Sequence, residues 1–221
     1  MTRIALLSAS LCLALTFSTS AFAQYSAPPN SGDQFKDTSL LKPPAGDRVA
    51  IIEFEDLECP ACAHAFPVVH QAVDHYHLPF QRHDFPLKMH IWSHDAAVTA
   101  RYIQDKINPK EAEEYRGAVF ANQQAIASKE DLQSFTQQFF RTHGQEMPFV
   151  IDPTGQFTRE VDADYALGVR LGLSHTPSIF VVTPHHWTQV TNVDYLYQTI
   201  DTALAETAGS SASAHHTTAR K

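Results

Sequence analysis

The alternation of hydrophobic and polar positions predicts a buried strand that leads directly into an amphipathic helix. Val49 to Phe54 is a nearly continuous apolar run, which is typical of a central strand covered on both faces. From Pro60 to about Tyr76 the apolar positions follow a helical period, with Phe66, Val69 and Val73 on one face. The first helix therefore begins within a few residues of a buried strand.

The remainder of the pattern predicts a second strand, a block of helices and a closing α/β segment. The second strand is His77–Leu87, and the block holds helices at Ser93–Ile107, Pro109–Ala127 and Lys129–Thr142. A helix at Gln156–Leu171, strands at Ser178–Val182 and Trp187–Thr191, and a helix at Val193–Glu206 complete the order. The predicted fold class is α/β, with a helical subdomain inserted at about 92–145.

Local signals mark where several of these helices begin and end. Asn108-Pro109 favours a helix start, because a first-turn proline needs no hydrogen bond from its nitrogen. Ser128 followed three positions later by Asp131 resembles a capping box. Gly172 is the expected cap at the end of the helix that closes with Leu171.

The first 23 residues have the pattern of an export signal. Arg3 supplies the positive charge, and the apolar stretch from Ile4 to Phe17 is shorter than the ~20 residues that span a bilayer. Ala21-Phe22-Ala23 is a small-x-small cleavage site. We therefore expect cleavage near Ala23 and a location outside the cytoplasm, with the mature protein either periplasmic or secreted.

Composition divides the rest into three parts. Residues 24–48 are rich in Pro, Ser, Gly and Asp and predict a flexible lead-in that can hold a short ordered piece around Phe35 to Leu41. Residues 49–206 hold the predicted domain. Residues 207–221 are small, polar and repetitive, which favours a disordered tail.

Charge and cysteine content narrow the function. The formal net charge is −8 at pH 7, and no basic stripe is present, so a nucleic-acid partner is not expected. Of the three cysteines, Cys12 lies in the predicted signal, which leaves Cys59 and Cys62. A single pair is not a framework of structural disulfides, so these two cysteines are expected to be reactive or metal-binding.

The two cysteines form the motif Cys59-Pro60-Ala61-Cys62 at the junction of the first strand and the first helix. Free N–H groups at a helix N-terminus favour a thiolate on the first sulfur. Two thiols at this spacing can also form a reversible disulfide. The arrangement predicts thiol–disulfide exchange, with the Cys59–Cys62 disulfide as the redox group and no other cofactor.

From Val49 to Glu206 the chain resembles the thioredoxin fold, and more closely its DsbA-like branch with a helical insertion. The resemblance depends on the segment from Phe54 to Cys62 and on a late Thr176-Pro177 that enters a strand. It implies that Cys59 is the exposed nucleophile and Cys62 the buried resolving cysteine. It also implies that Thr176-Pro177 faces the disulfide through a cis peptide bond.

The resemblance assigns roles to two further residues near the motif. Glu53 stands where the family carries a buried acid that exchanges a proton with Cys62; its apolar neighbours favour burial over a position at the sheet edge. His175 stands where many relatives have glycine, either beside the sulfurs or in a solvated loop. Ala61 replaces a histidine of the strongly oxidising members, which leaves the oxidising strength open.

The expected function is the introduction of disulfides into reduced or misoxidised exported proteins. The resemblance implies a membrane redox partner, such as a quinone-linked oxidase, that would restore the disulfide. A disulfide isomerase or reductase is the alternative within the same chemistry. A metal-binding module, with Cys59, Cys62 and His64 as soft ligands, is a further alternative, although no second cysteine pair completes a zinc site and no metal is expected.

Overall fold

A computed structural model describes residues 33–217, with side chains described as far as residue 208. The strands are β1 (Ala50–Glu55), β2 (Phe80–Asp84), β3 (Ser178–Val182) and β4 (Trp187–Val190). The α-helices are α1 (Pro60–Tyr76), α2 (Ser93–Lys106), α3 (Pro109–Asn122), α4 (Lys129–Thr142), α5 (Gln156–Leu171) and α6 (Leu196–Thr217). Short 3-10 helices at Gln123–Ala125 and Val193–Tyr195 follow α3 and precede α6.

Within the described residues, the strands form one sheet in the order β2-β1-β3-β4. β1 pairs in parallel with β2, and β3 runs antiparallel to both β1 and β4. Every residue of β1 is buried, as the apolar run predicted for a central strand. This mixed sheet with helices on its faces agrees with a thioredoxin fold.

The alternation of side chains along β1 supplies two hydrophobic cores. Ile51 faces one side of the sheet, where it packs with residues of α1 and α6 such as Val69 and Ile200. Ile52 and Phe54 face the other side, in a cluster that includes Leu171 from α5. The sheet is therefore covered on both faces, and the end of β1 is held rigidly where the first helix begins.

The helical insertion forms a third core of its own. Trp92, Ile103, Tyr115 and Phe140 are buried there, and Cys59 and Cys62 belong to the same cluster. The N-terminus of α1 therefore lies between the sheet and the inserted helices.

The predicted local signals have clear counterparts in the structure. The Asn108 side chain accepts a hydrogen bond from the Glu111 backbone N–H at 2.8 Å, and Ser128 does the same for Asp131 at 3.1 Å. Gly172 ends α5 with a φ of 96°, a left-handed conformation that favours glycine. The predicted bounds of α4, α5 and β3 are confirmed without change.

Other predicted bounds were wrong by several residues. The second strand was predicted from His77 to Leu87, but His77 takes a left-handed φ of 53° that ends α1, and β2 spans Phe80–Asp84. The predicted helix to Ala127 ends at Asn122, where a 3-10 turn takes over. At the other end, α6 extends to Thr217, so the predicted helix end at Glu206 was also wrong; residues 218–221 of the predicted tail lie outside the described residues.

The described part of the predicted lead-in, residues 33–48, packs on the domain, and its ordered part includes the piece expected around Phe35 to Leu41. The Gln34 and Lys36 backbone N–H groups donate to the carbonyls of Gly172 (3.1 Å) and Leu171 (3.0 Å) at the end of α5. Leu41 is 2% exposed and belongs to the core under the sheet. Hydrogen bonding of the backbone overrides the turn-rich composition. We call residues 33–37 the strap. The predicted signal, residues 1–23, lies outside the described residues.

No helix in the described part of the chain combines the length and the apolar character needed to cross a bilayer.

Candidate active site

Cys59 occupies the N-cap of α1, between the end of β1 and the first helical residue. Its backbone is extended, with φ −82° and ψ 120°, and Pro60 follows as the first residue of the helix. Cys59 is 7% exposed and Cys62, one turn into the helix, is 1% exposed. Both are free thiols. The structure thus brings the predicted pair together, with the first sulfur slightly more open to solvent.

The surroundings of Cys59 favour its thiolate and lower its pKa to about 6. The largest cause is a hydrogen bond from the Cys62 thiol, followed among the favourable contacts by Thr176 and by the backbone N–H groups of Cys62 and Ala61. Burial opposes this effect but does not cancel it. Cys59 is therefore largely ionised at neutral pH.

The surroundings of Cys62 have the opposite effect. Burial raises the pKa of its thiol well above the ordinary value, and the neighbouring Cys59 and Glu53 raise it further. The backbone N–H of Asp56 donates to Cys62 Sγ at 3.4 Å, which offsets only part of the shift. The pair is thus divided into a reactive thiolate and a buried thiol.

Glu53 lies within β1 and is 1% exposed, so of the two positions considered for it the structure places it in the interior. Burial is the main reason that its pKa rises to about 8, and the neighbouring charge of Glu55 adds to the rise. Since Glu53 also contributes to the raised pKa of Cys62, the two groups are electrostatically coupled. A buried acid with a pKa near neutrality can hold and release a proton beside the buried thiol.

Thr176 and Pro177 bring a distant segment against the pair. The peptide bond between them is cis. The Cys59 thiol donates to the Thr176 carbonyl at 3.4 Å, although 117 positions separate the two residues. The Thr176 hydroxyl is buried and has no hydrogen-bond partner among the described residues, so it is available to donate to the Cys59 thiolate.

A shallow cleft lies beside the motif, between α1, the Thr176-Pro177 loop and the end of β4. Ala61, His64, His175 and Pro177 line it together with apolar residues that include Val190. His175 thus lies in the wall of this cleft, where its Nδ1 contacts the Asp33 carboxylate at 3.1 Å. The cleft is open to solvent and has both polar and apolar walls.

Asp56, which sequence reasoning missed, organises the loop that presents Cys59. It is 1% exposed, and its carboxylate accepts from the backbone N–H groups of Glu58 (2.7 Å) and Leu87 (2.6 Å). It also contacts His90 Nδ1 at 2.7 Å and accepts from the Ser93 hydroxyl at 2.5 Å. The acidic run just before the motif, Glu55 to Glu58, was the signal that could have identified it.

Two more residues fix the same loop from the helical insertion. Glu58 accepts from the backbone N–H groups of Trp92 (2.7 Å) and Ser93 (3.1 Å), at the N-terminus of α2. Gln123 donates through Nε2 to the carbonyls of Leu57 (2.8 Å) and Cys59 (3.1 Å). The insertion therefore holds the nucleophile's backbone directly.

A buried ion-pair cluster at the edge of the sheet was also missed. Arg116 from α3 is 1% exposed and pairs with Glu55 (2.8 Å) and Asp84 (2.7 Å). Arg82 contacts the same Glu55 at 3.0 Å, and it is one of the charges that lower the pKa of Glu53 against the effect of burial. Sequence spacing gives no signal for this cluster, since its members come from separate elements.

Across the described residues, no group of three or more His, Cys, Asp or Glu side chains is arranged to hold a metal ion. His64 lines the cleft with Ala61, and it does not form a three-ligand group with Cys59 and Cys62.

The comparisons with known proteins agree on the fold. Among solved structures, alpha-DsbA1 of Wolbachia pipientis superimposes with a TM-score of 0.64 at 16% identity, covering 78% of this chain and 98% of that one. The thiol-disulfide exchange protein alpha-DsbA2 of the same organism gives 0.58 at 14% identity, covering 72% and 84%. A periplasmic thioredoxin-like protein from Salmonella enterica serovar Typhimurium gives 0.56 at 16% identity, covering 71% and 84%.

No curated protein matches the sequence well enough to count as a relative. The model of the Thioredoxin_4 family, described as thioredoxin, matches residues 46–201, which include the cysteine pair, the helical insertion and Thr176-Pro177. The chain therefore belongs to the thioredoxin family, with a DsbA-like fold in which a helical subdomain is inserted.

Proposed function

We propose that the chain is an exported thiol-disulfide oxidoreductase that introduces disulfides into client proteins through Cys59 and Cys62. The observation that carries the proposal is the division of the pair: the pKa of Cys59 falls to about 6 while that of Cys62 rises. A nucleophile that is ionised at neutral pH and a protonated partner one turn away are what disulfide exchange requires.

The reaction begins with the Cys59–Cys62 disulfide. A client thiolate attacks Cys59 Sγ, the Cys59–Cys62 bond breaks, and Cys62 leaves as a thiolate that takes up a proton. A second client thiolate then attacks the client sulfur of the mixed disulfide and displaces Cys59 as a thiolate. The client loses two electrons and gains a disulfide, and the enzyme pair gains the two electrons.

Glu53 is the group we assign to the proton of Cys62. Its raised pKa of about 8 lets it carry a proton at neutral pH, and its charge acts directly on the Cys62 thiol. It would donate when Cys62 leaves and accept when Cys62 attacks. Burial excludes bulk water from that role at both side chains.

The cleft beside Cys59 is suited to an extended client segment. The Thr176-Pro177 loop forms one wall, and backbone groups next to it can pair with a peptide in the manner of an added strand. Location in the periplasm is supported by the periplasmic thioredoxin-like structure and by the predicted signal. A membrane oxidase linked to quinone would accept the electrons and restore the disulfide.

The direction of electron flow depends on how strongly the thiolate is stabilised. A low pKa makes Cys59 a better leaving group and the disulfide more oxidising. Since about 6 lies between the values of ~3.5 for DsbA and ~7 for thioredoxin, we expect a reduction potential between about −120 and −270 mV. Equilibration with glutathione measures it, and a value at or below −270 mV would favour a reductase over an oxidase.

Oxidation of a reduced dithiol peptide by the full chain tests the assignment of the nucleophile. We expect Cys59→Ser to lower the rate at least about a hundredfold, because the attacked sulfur is gone. Cys62→Ser has no disulfide to reduce, so it is given a symmetric peptide disulfide instead: the Cys59 thiolate attacks one sulfur, releases one peptide thiolate and should accumulate as a mixed disulfide, visible by mass, because no Cys62 thiol resolves it. Cys12→Ser is the matched control and should retain the wild-type rate. Undiminished oxidation by Cys59→Ser would refute the proposal.

A further inference from the structure

The Asp33 carboxylate is enclosed even though it belongs to the strap and not to a strand or helix. Its side chain is 0% exposed. Among the described residues it accepts four hydrogen bonds: from Ser174 N (2.9 Å), Ser174 Oγ (2.9 Å), His175 Nδ1 (3.1 Å) and Gln189 Nε2 (3.0 Å). All four donors belong to residues that are far from Asp33 in the sequence, so this carboxylate joins separate segments of the fold.

The donors come from both sides of the cleft. Ser174 and His175 directly precede Thr176, whose carbonyl contacts the Cys59 thiol, while Gln189 belongs to β4. His175 itself lines the cleft, as does Val190 next to Gln189. One carboxylate therefore connects the strap, the loop that faces the nucleophile and the strand that borders the cleft.

The position of Asp33 is set by the strap that carries it. The backbone N–H groups of Gln34, Lys36 and Asp37 donate to carbonyls in the last turn of α5 at 3.1, 3.0 and 3.3 Å. The strap can approach closely because Gly172 lacks a side chain: a Cβ there would overlap the carbonyl of Gln34. Asp33 is thus delivered to the loop by hydrogen bonds that do not involve the cleft.

Removing this carboxylate would leave several donors without their partner. Hydrogen bonds to a charged acceptor are stronger than neutral ones, and the exposed Ser174 and the partly exposed His175 would exchange theirs for bonds to mobile water. The His175 ring would also lose the contact that fixes its orientation in the cleft wall. Ser174 and the His175 ring would then lose their fixed positions in and behind the cleft wall, while Thr176, to which Asp33 makes no hydrogen bond, keeps its contact with Cys59.

We propose that Asp33 is a positioning residue for client docking: through Ser174 and His175 it holds the cleft wall in the shape that receives an extended peptide. The inference rests on the proposed function, because it assumes that clients dock in this cleft. Asp33 touches neither cysteine, so it acts on the peptide's access and not on the sulfur chemistry.

The test separates docking from chemistry by comparing the reaction rates of two disulfide probes that release the same leaving group. In the Cys62→Ser full chain, the Cys59 thiolate attacks RS–SR′, forming Cys59–S–SR and releasing R′S⁻. R is a methyl group in one probe and a six-residue peptide in the other. The ratio of the two rates, peptide to methyl, measures what the cleft adds.

We expect Asp33→Ala to lower this ratio about tenfold, with the methyl probe reacting within about twofold of the parent rate. Asp33→Asn keeps an oxygen for Ser174, and the Gln189 amide can rotate to accept from its NH₂, so it should retain most of the ratio. Asp37→Ala is the matched control, because that exposed strap carboxylate bonds to Ser39 and not to the loop. In a double-mutant cycle, His175→Ala should weaken the effect of Asp33→Ala.

The possible failures are distinguishable. An unchanged ratio in Asp33→Ala, an equal loss of both rates, or a loss in Asp33→Asn as large as in Asp33→Ala would each overturn the role of Asp33. A parent ratio of one would mean that no client docks here and would overturn the docking part of the proposed function as well. Thermal unfolding of each variant shows whether it is folded. A variant that misfolds loses both rates equally, and that result would overturn the role of Asp33.

Discussion

Cys59 and Cys62 carry the same functional group, yet their environments drive their pKa values in opposite directions. The Cys62 thiol and the N–H groups at the start of the helix stabilise the Cys59 thiolate, and the Thr176 hydroxyl is available to donate to it, whereas Cys62 is enclosed beside the acid Glu53. The chemistry of the motif thus depends on partners that lie outside the four residues that define it. At the residue scale, the measurable consequence is that Cys59 loses its proton near neutral pH while Cys62 keeps its own.

Within the Cys59–Cys62 pair, the reduced protein should react with iodoacetamide at Cys59 alone, and the rate at Cys59 should rise with pH about a midpoint near 6. An ordinary thiol would show a midpoint near 8.5. Because the folded-state pKa is lowered, the thiolate adds stability above the unfolded pKa, and this stability is lost as pH falls through 6. The reduced form should therefore gain up to about 3 kcal/mol over the oxidised form between pH 6 and 8.5. Alkylation at a series of pH values, with urea unfolding of both forms, measures both effects.

Cys62→Ala is the control for this titration. It removes the largest cause of the lowered pKa, so the midpoint should move up toward the ordinary value. A wild-type midpoint above 8, or one that Cys62→Ala does not move, would contradict the geometry described for the pair.

At the scale of elements, the active site is assembled where several segments end. The end of β1, the start of α1 and the loop before β3 meet around Cys59, and the strap holds that loop through Ser174 and His175. Gly172 illustrates how such a meeting limits the residue at one position: it combines a φ of 96° with a close contact to the strap carbonyl of Gln34. A side chain there would meet two separate obstacles, backbone strain and the strap.

Gly172→Ala should cost about 2–4 kcal/mol of the free energy of unfolding, because the alanine pays for a left-handed φ and also displaces the strap. Gly46→Ala is a matched control. Gly46 has a φ of 98°, and a Cβ there would meet nothing within 4 Å, so only the backbone strain of about 1–2 kcal/mol applies. Urea unfolding of both variants compares them; equal losses would show that the strap does not press on this position.

At the scale of the whole molecule, the helical insertion is joined to the sheet by charge as well as by apolar packing. Arg116 reaches from α3 to Glu55 on β1 and Asp84 on β2, and all three side chains are buried. Arg101 from α2 adds a second bond to Asp84 at 2.6 Å. The pKa of Asp84 falls to about 2 under the influence of Arg116 and Arg101, although burial opposes the fall. The cluster therefore fixes the insertion in the orientation that supports the site.

Arg116→Ala should destabilise the protein by about 3–5 kcal/mol, since it removes the fully buried cation that Glu55 and Asp84 share and leaves Glu55 with Arg82 and Asp84 with Arg101 alone. Lys110→Ala is the control on the same helix: its ion pair with Glu114 is exposed to solvent, and its removal should leave the unfolding midpoint unchanged within error. Chemical unfolding followed by far-UV circular dichroism measures both. Similar midpoints for the two variants would contradict a structural role for the cluster.

Much of the fold was predictable from the sequence, because it depends on residues that are close together in the chain. The apolar run of β1, the capping residues Asn108 and Ser128, and the change to helical period at Pro60 each act over a few positions. The composition of the strap and of the C-terminal segment misled the prediction. In both regions the hydrogen-bonded backbone decides the structure, and composition carries only weak information about it.

The sequence by itself determined that two cysteines lie at the N-terminus of the first helix, after a strand that can carry a buried acid. Only the tertiary structure decided which sulfur ionises and what surrounds it, because those properties arise from burial and from contacts across long separations. Thr176 reaches Cys59 over 117 positions, and Asp33 reaches Ser174 over 141. Such contacts leave no periodic trace in the chain, since each depends on how several elements pack together.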